Sequence, residues 1–128
     1  MKKERWDVPW AKLTLAKALL LIEPLRATAR RHGYAIGVHG SLERDIDLIA
    51  APWVIDASPA DRLIKALIRT IKRHNKGIAL VLRPARNADP ADERGRNPVT
   101  RPHGRLAWAI HLGGGPYIDV SVMPTRAA

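Results

Sequence analysis

The sequence predicts an α+β domain with about five β-strands and two main helices. Apolar residues recur at three- and four-residue steps in residues 11–32 and 59–75, which is the period of an amphipathic helix. Elsewhere apolar residues alternate with polar ones or form short runs, as in half-buried strands. These strand segments are residues 34–39, 45–50, 78–82, 105–112 and 117–123.

The two helical segments carry different boundary signals. In the first, Pro24 interrupts the apolar period, so we predict either a kink or two helices with Pro24 at the start of the second. Gly33 follows as a natural stop. The second helix ends at Asn75, and Ser58 is a candidate for its N-cap.

The remaining segments complete one domain, residues 1–128, since a chain of this length builds a single core. Residues 1–10 show no period and are predicted to be an N-terminal arm. Residues 83–104 are rich in Pro, Asn, Asp and Arg, which predicts a basic loop. Its arginines either close over a substrate or belong to a disordered segment; they are Arg83, Arg86, Arg94, Arg96 and Arg101.

Composition excludes several classes of protein. The chain has no cysteine, so it has neither disulfides nor a thiolate metal site. No stretch is apolar and long enough to span a membrane, and residues 1–10 are too polar for a signal peptide, so we expect a cytoplasmic protein without a membrane partner. The net charge of +10 favours polyanionic partners such as nucleic acid or nucleotides. An arginine-rich composition imposed by a GC-rich genome explains the same charge.

The stretch from Val38 to Ile49 carries the chemistry. In an extended strand Asp45 and Asp47 point to one face, about 6–7 Å apart along the chain. Two such carboxylates need a counter-charge, and Mg²⁺ takes oxygen ligands of this kind together with substrate phosphates. Gly40-Ser41, just upstream, supplies a tight turn, amide donors and a hydroxyl, which suit a phosphate.

A third carboxylate lies near the end of the chain. Ile118, Val120 and Val122 occupy one face of the last predicted strand, which leaves Asp119 on the other. If this strand is a neighbour of the strand that carries Asp47, the three acids form a cluster that can hold two metal ions. The preceding strand, Arg105–Leu112, is predicted to be antiparallel to the last one, and its small Ala107 and Ala109 leave room beneath a ligand.

These motifs together resemble a known family. Gly40-Ser41 followed by Asp45-Ile46-Asp47-Leu48, with Asp119 on a later strand, is similar to the nucleotidyltransferase superfamily typified by DNA polymerase beta, and closest to its minimal single-domain members. The resemblance covers residues 34–49 and 103–123. It implies a small mixed sheet with helices packed on one face, two Mg²⁺ ions (or Mn²⁺), and transfer of a nucleotidyl group from a nucleoside triphosphate.

On this resemblance we expect an enzyme, a metal-dependent transferase. Asp45, Asp47 and Asp119 would bind both ions, and Asp119 would assist deprotonation of an acceptor hydroxyl. Gly40 and Ser41 would hold the β- and γ-phosphates. Two arginines are added as substrate contacts: Arg105, which projects on the same face, and Arg44, for which a structural ion pair is an equal alternative.

Two alternatives to the enzyme stay open. The link between Gly-Ser and Asp-x-Asp holds only Leu42, Glu43 and Arg44, shorter than is usual in the family. This favours a catalytically inactive module of the same fold that binds nucleic acid or a protein partner. Against it, three like charges are costly without a metal. A regulator that pairs with a toxin-like protein rests on family analogy alone.

Overall fold

The computed structural model describes residues 15–43, 45–75, 80–83, 98–113 and 116–125, the four residues 80–83 by their backbone only. Its elements are listed here in chain order: α1 (Leu15–Leu19), α2 (Ile22–Arg31), β1 (Tyr34–His39), β2 (Ile46–Pro52), α3 (Ala60–His74), β3 (Leu80–Arg83), β4 (Val99–Arg101), a 3₁₀ turn (Pro102–Gly104), β5 (Arg105–Leu112) and β6 (Tyr117–Val122). The α+β class with two main helices is confirmed.

The strands form one mixed sheet in the order β1-β2-β6-β5-β3. β2 and β6 are parallel, and the other pairs are antiparallel, including the predicted pair of β5 and β6. The short β4 is a sixth strand that pairs with β5 on the same edge as β3. Along that edge Arg83 is opposite Ala109 and Val99 is opposite Ala107. The chain therefore leaves the edge of β5 at the end of β3 and returns to it at the start of β4, close to the same point.

The core lies on one face of this sheet, and the helices cover it. Every second residue of β1, β2, β5 and β6 points into the core, because side chains along a strand alternate between the two faces of the sheet. Helix residues complete this core, which includes Leu21, Leu25, Ala29, Tyr34, Ile36, Ile46, Leu48, Leu63, Leu67, Ile71, Trp108, Ile110, Leu112, Ile118, Val120 and Val122. All the strand residues in this set share one phase of alternation, so the helices pack on a single face.

Pro24 divides the first helical segment in two. α1 ends at Leu19 and α2 begins at Ile22. Pro24 is the third residue of α2, where the missing backbone N–H has no intrahelical partner to lose. Of the two outcomes predicted for this segment, the split is therefore confirmed.

The prediction that Ser58 caps α3 is wrong, because its hydroxyl has another partner. Pro59 is the N-cap residue and makes no side-chain cap bond. The Ser58 hydroxyl lies 2.9 Å from Nδ1 of His32, and the Ser58 amide donates to the His32 carbonyl at 2.9 Å. The Tyr34 hydroxyl donates to the Ser58 carbonyl at 2.6 Å. These bonds fasten the segment before α3 to the end of α2.

Part of the predicted basic loop is ordered as strand and turn. Within residues 83–104, Arg83 ends β3, Val99–Arg101 form β4, and Pro102–Gly104 form the turn into β5. Residues 84–97 and the predicted arm, residues 1–10, lie outside the described residues. In the part of the chain that the structure describes, none of the helices has the length and apolar character needed to cross a membrane.

A buried hydroxyl pair joins α2 to α3. The Thr70 hydroxyl donates to the Ala66 carbonyl at 3.0 Å, so the Thr28 hydroxyl is the donor in the Thr28–Thr70 bond between the helices. Thr28 is 3% exposed and Thr70 1%. Thr28 is beside Thr70 and His32 is beside Ser58, so the two helices run antiparallel.

Thr70→Val is expected to lower the free energy of unfolding by about 1–3 kcal/mol, because it leaves the buried Thr28 donor without an acceptor. Thr28→Val is expected to cost less, since Thr70 keeps its bond to Ala66. The double variant should cost no more than Thr70→Val alone, because the orphaned donor is gone. Urea denaturation of all four proteins measures this cycle, and additive losses would contradict the assignment of the donor.

Candidate functional site

The candidate site lies on the sheet face opposite the helices, at the end where β2 and β6 begin. Asp45 directly precedes β2, Asp47 is its second residue, and Asp119 is the third residue of β6. We call this surface, defined by Asp45, Asp47 and Asp119, the acid face. All three acids have the strand phase opposite to that of the core residues.

The structure brings Asp47 and Asp119 directly beside each other. They are register partners in the parallel pair of β2 and β6, so their Cα atoms are separated by about one strand spacing, ~4.8 Å. The two acid-bearing strands are therefore neighbours, which was the condition for the three acids to lie close together. Asp45 is held at the same end of the sheet, because the backbone N–H of Tyr117 donates to its Oδ1 at 3.2 Å.

Gly40 forms the turn that faces Asp47. Its φ of +83° is in the left-handed region, which L side chains rarely adopt. A Cβ at this position would stand 2.7 Å from Oδ2 of Asp47. The backbone conformation thus favours glycine at this position, and a larger residue would also displace the Asp47 carboxylate.

Ser41 follows the turn with an exposed side chain. Its Oγ accepts a hydrogen bond from the Glu43 amide at 3.3 Å, which closes a turn between β1 and Asp45. Residues 41–43 are not helical. Arg44, predicted as a substrate contact, lies outside the described residues.

Arg101 is the residue of this face that sequence reasoning did not single out. Its guanidinium grips Asp119 with two parallel bonds, Nη1 to Oδ1 at 2.8 Å and Nη2 to Oδ2 at 2.9 Å. Nη1 also donates to the Ser121 hydroxyl at 3.0 Å. Asp119 is 7% exposed, so this bidentate pair supplies the counter-charge that a buried carboxylate requires.

The Arg101 side chain reaches Asp119 by crossing β5. Arg101 is on β4, which pairs with one edge of β5, while β6 pairs with the other. On this face β5 presents Ala107 and Ala109, opposite Ser121 and Asp119 respectively. These small side chains leave room for the Arg101 side chain; that they leave room beneath a ligand stays a prediction.

Arg105 occupies the near end of the same face. It is the register partner of Arg101, and like charges in paired positions repel each other. The two guanidiniums separate, since Nε of Arg105 donates to the Pro102 carbonyl at 3.1 Å while Arg101 extends to Asp119. Arg105 is therefore on the predicted face but anchored at its edge by the turn.

The charges on this face are coupled. The hydrogen bonding of Arg101 to the Asp119 carboxylate, which accepts, raises the pKa of Arg101 above its ordinary value, and burial opposes that shift. The charges of Asp119, Asp47 and Tyr117 raise it further. Asp47 thus lies within electrostatic range of the guanidinium, although Arg101 forms its hydrogen bonds with Asp119 and Ser121.

The donor set can be compared with the needs of a metal ion. Among the described residues, no three His, Cys, Asp or Glu side chains are arranged to hold one ion together. Both oxygens of Asp119 are bound by Arg101, and one oxygen of Asp45 accepts the Tyr117 amide. Within the described part of the chain no hydrogen bond reaches the half-buried Asp47 carboxylate. On the acid face, the Asp47 carboxylate and the second oxygen of Asp45 are therefore the groups available to bind a ligand.

Gly40→Ala is expected to lower the free energy of unfolding by about 1–2 kcal/mol through its positive φ alone, and to displace the Asp47 carboxylate. Gly37→Ala is the matched control, because a Cβ at that residue of β1 would meet nothing within 4 Å. Denaturant titrations of both variants measure the difference. Equal stability of the two would contradict the backbone strain expected at the positive φ of Gly40.

The chain was compared with known proteins in three ways, and none gave a match. No family model matches the sequence, no curated protein matches it, and no solved structure matches the fold. The resemblance to the nucleotidyltransferase superfamily therefore rests on the motif residues alone and stays a prediction.

Proposed function

We propose that the protein is a nucleotidyltransferase-type enzyme of the cytoplasm, which transfers a nucleoside monophosphate from a nucleoside triphosphate to an acceptor hydroxyl. One observation carries the proposal: Asp47 and Asp119 are register partners on adjacent parallel strands, with Asp45 on the same face. Acids concentrated at one end of a sheet repel one another and so do not stabilise the fold. Next to a glycine turn, the same acids can bind a metal–triphosphate complex.

Asp45 and Asp47 fit a hard divalent cation by their donor chemistry. Both offer carboxylate oxygens, the ligands that Mg²⁺ and Mn²⁺ prefer, and Asp47 has no hydrogen-bond partner among the described residues. Asp119 fits the second of two ions only after Arg101 releases it. When bound, such ions neutralise charge on the triphosphate and on the attacking and leaving oxygens.

The residues of the chain would share the remaining tasks. The exposed Ser41 hydroxyl and the backbone of the Gly40 turn would bind the β- and γ-phosphates, as anions bind to clustered amide donors. Arg105, at the edge of the same face, is a candidate phosphate contact. Once free of Arg101, Asp119 would accept the proton of the acceptor hydroxyl at one of its Oδ atoms.

A second candidate function is favoured by the Arg101–Asp119 pair itself. Three acids without a metal were the argument against a non-catalytic module, because their mutual repulsion needs compensation. Arg101 provides part of that compensation from within the chain. A module that keeps the fold and has lost the chemistry would therefore be stable without any metal.

Asp45→Asn/Asp47→Asn is expected to weaken Mg²⁺-dependent binding of nucleoside triphosphates by about 100-fold or more, since it removes the two accessible carboxylates. Calorimetry with each of the four triphosphates, with and without Mg²⁺, measures the loss and identifies the nucleotide. Asp56→Asn/Asp61→Asn is the control, because it removes the same charge from exposed positions outside the acid face. Wild-type protein that binds no triphosphate with either Mg²⁺ or Mn²⁺ would favour the non-catalytic module.

Arg101→Gln is expected to tighten the binding of Mn²⁺ in the absence of nucleotide, because it frees both Asp119 oxygens beside Asp47. The same change is expected to lower the free energy of unfolding without metal by about 2–4 kcal/mol, since it leaves a buried carboxylate unpaired. Calorimetric metal titration and denaturation with and without Mn²⁺ measure the two effects. Arg101→Gln/Asp119→Asn is the control. Because it lacks the Asp119 carboxylate, its affinity for Mn²⁺ should not rise, and Mn²⁺ should not restore its stability. Unchanged Mn²⁺ affinity in Arg101→Gln would show that Asp119 is not a ligand.

A further inference from the structure

The solvent side of α3 carries a continuous basic stripe. Its members are exposed side chains and follow one another at steps of three, four, three and one residue: Arg62, Lys65, Arg69, Lys72 and Arg73. At 100° per residue these steps place all five within an arc of about 100°. The stripe is about 16 Å long, from a rise of 1.5 Å per residue.

Within the described part of the chain, these cations have no acidic partner. The ion pairs formed by described residues are Arg26 with Glu23 and Arg101 with Asp119, neither of which involves α3. Arg73 donates to the Thr70 hydroxyl at 3.3 Å, which orients its side chain and leaves its charge uncompensated. Asp61 is the single acid of α3, at its first turn.

The end of α2 extends the stripe. The pKa of His32 is lowered, first by burial and then by the charges of Arg69, Arg31 and Arg62. The three guanidiniums thus lie within electrostatic range of His32, which follows the end of α2. We call this surface, formed by Arg31 and the five basic residues of α3, the basic helix face.

The basic helix face and the acid face lie on opposite sides of the molecule. The helices cover one side of the sheet, and Asp45, Asp47 and Asp119 lie on the other. A polyanion at the helices would therefore avoid the three carboxylates. This surface does not belong to the proposed nucleotide site.

We propose that the basic helix face binds the phosphate backbone of duplex DNA without reading its sequence. A straight array of cations complements a rigid line of phosphates, and such contacts supply nonspecific affinity. The B-form major groove, about 12 Å wide, admits an α-helix, whereas the deep, narrow major groove of A-form RNA does not. α3 contains no Trp, Tyr or Phe on which the bases of a single strand could stack.

The test measures DNA affinity as a function of salt. Wild-type protein is titrated into a fluorescent 20-base-pair DNA duplex of mixed sequence at several salt concentrations, and polarisation is recorded. Six phosphate contacts, one for each basic residue of this face, predict a slope of about −5.4 for the logarithm of affinity against the logarithm of salt. Arg62→Gln/Arg69→Gln removes two contacts and is expected to reduce the slope to about −3.6, with weaker binding at every salt concentration.

A matched variant separates position from net charge. Lys17→Gln/Arg26→Gln also removes two positive charges, but neither belongs to the basic helix face or to the acid face, so it is expected to keep the wild-type slope. An equal loss of slope in both variants would overturn the proposal, since net charge alone would then explain binding. Tighter binding to single-stranded DNA or to duplex RNA of the same length would also overturn it.

The DNA proposal and the nucleotide proposal fail separately. Asp45→Asn/Asp47→Asn is expected to bind duplex DNA at least as tightly as wild type, because it removes negative charge far from the helices. Loss of DNA binding in this variant, with its thermal unfolding midpoint unchanged, would place the DNA on the acid face and overturn the assignment to α3. Absence of DNA binding by wild-type protein at low salt would overturn the DNA proposal and leave the nucleotide site untouched.

Discussion

The rest of the acid face depends on one electrostatic constraint, which is the placement of Asp119 on β6 beside Asp47 on β2. A carboxylate that is 7% exposed cannot stay charged without a partner, and its register neighbour has the same sign. Arg101 meets this demand from two strands away. Two local features accompany this contact: β4, which carries Arg101, pairs with β5 over three residues, and the buried Ser121 hydroxyl accepts a further bond from the guanidinium.

Much of the fold could be predicted from the sequence, because its signals are local and periodic. Alternation in β5 and β6 identified the residues that face the core, and the same alternation placed Asp119 on the opposite face. Pro24 announced a break in the first helical segment, since proline is tolerated in a first turn and disruptive in an interior. The three acids could likewise be assigned to one face without knowledge of the topology, by strand phase alone.

Arg101 could not be singled out in the same way. It lies in a strand of three residues, which is too short for alternation to be recognised, and its pairing with β5 is set by tertiary contacts. Nothing local distinguishes it from the other arginines of residues 83–104. A signal existed in the sequence Val99-Thr100-Arg101 before Pro102-His103-Gly104, which could have been interpreted as the start of a hairpin into β5. Ser58 failed for a related reason, because its competing partner, His32, is distant in sequence.

The Arg101–Asp119 pair sets the terms on which the acid face can bind a ligand. A cation that takes Asp119 alone leaves the Arg101 charge without its partner, and an anion that takes Arg101 alone leaves Asp119 unpaired beside Asp47. Either exchange costs the free energy of a buried pair. A metal–triphosphate complex carries both charges, so Asp119 can pass to the cation while Arg101 passes to a phosphate, and no charge is orphaned. Under the proposed function, the Arg101–Asp119 pair therefore favours binding of the complete metal–triphosphate complex over binding of the metal or the triphosphate alone. This coupling is reciprocal, so each of the two ligands raises the affinity for the other.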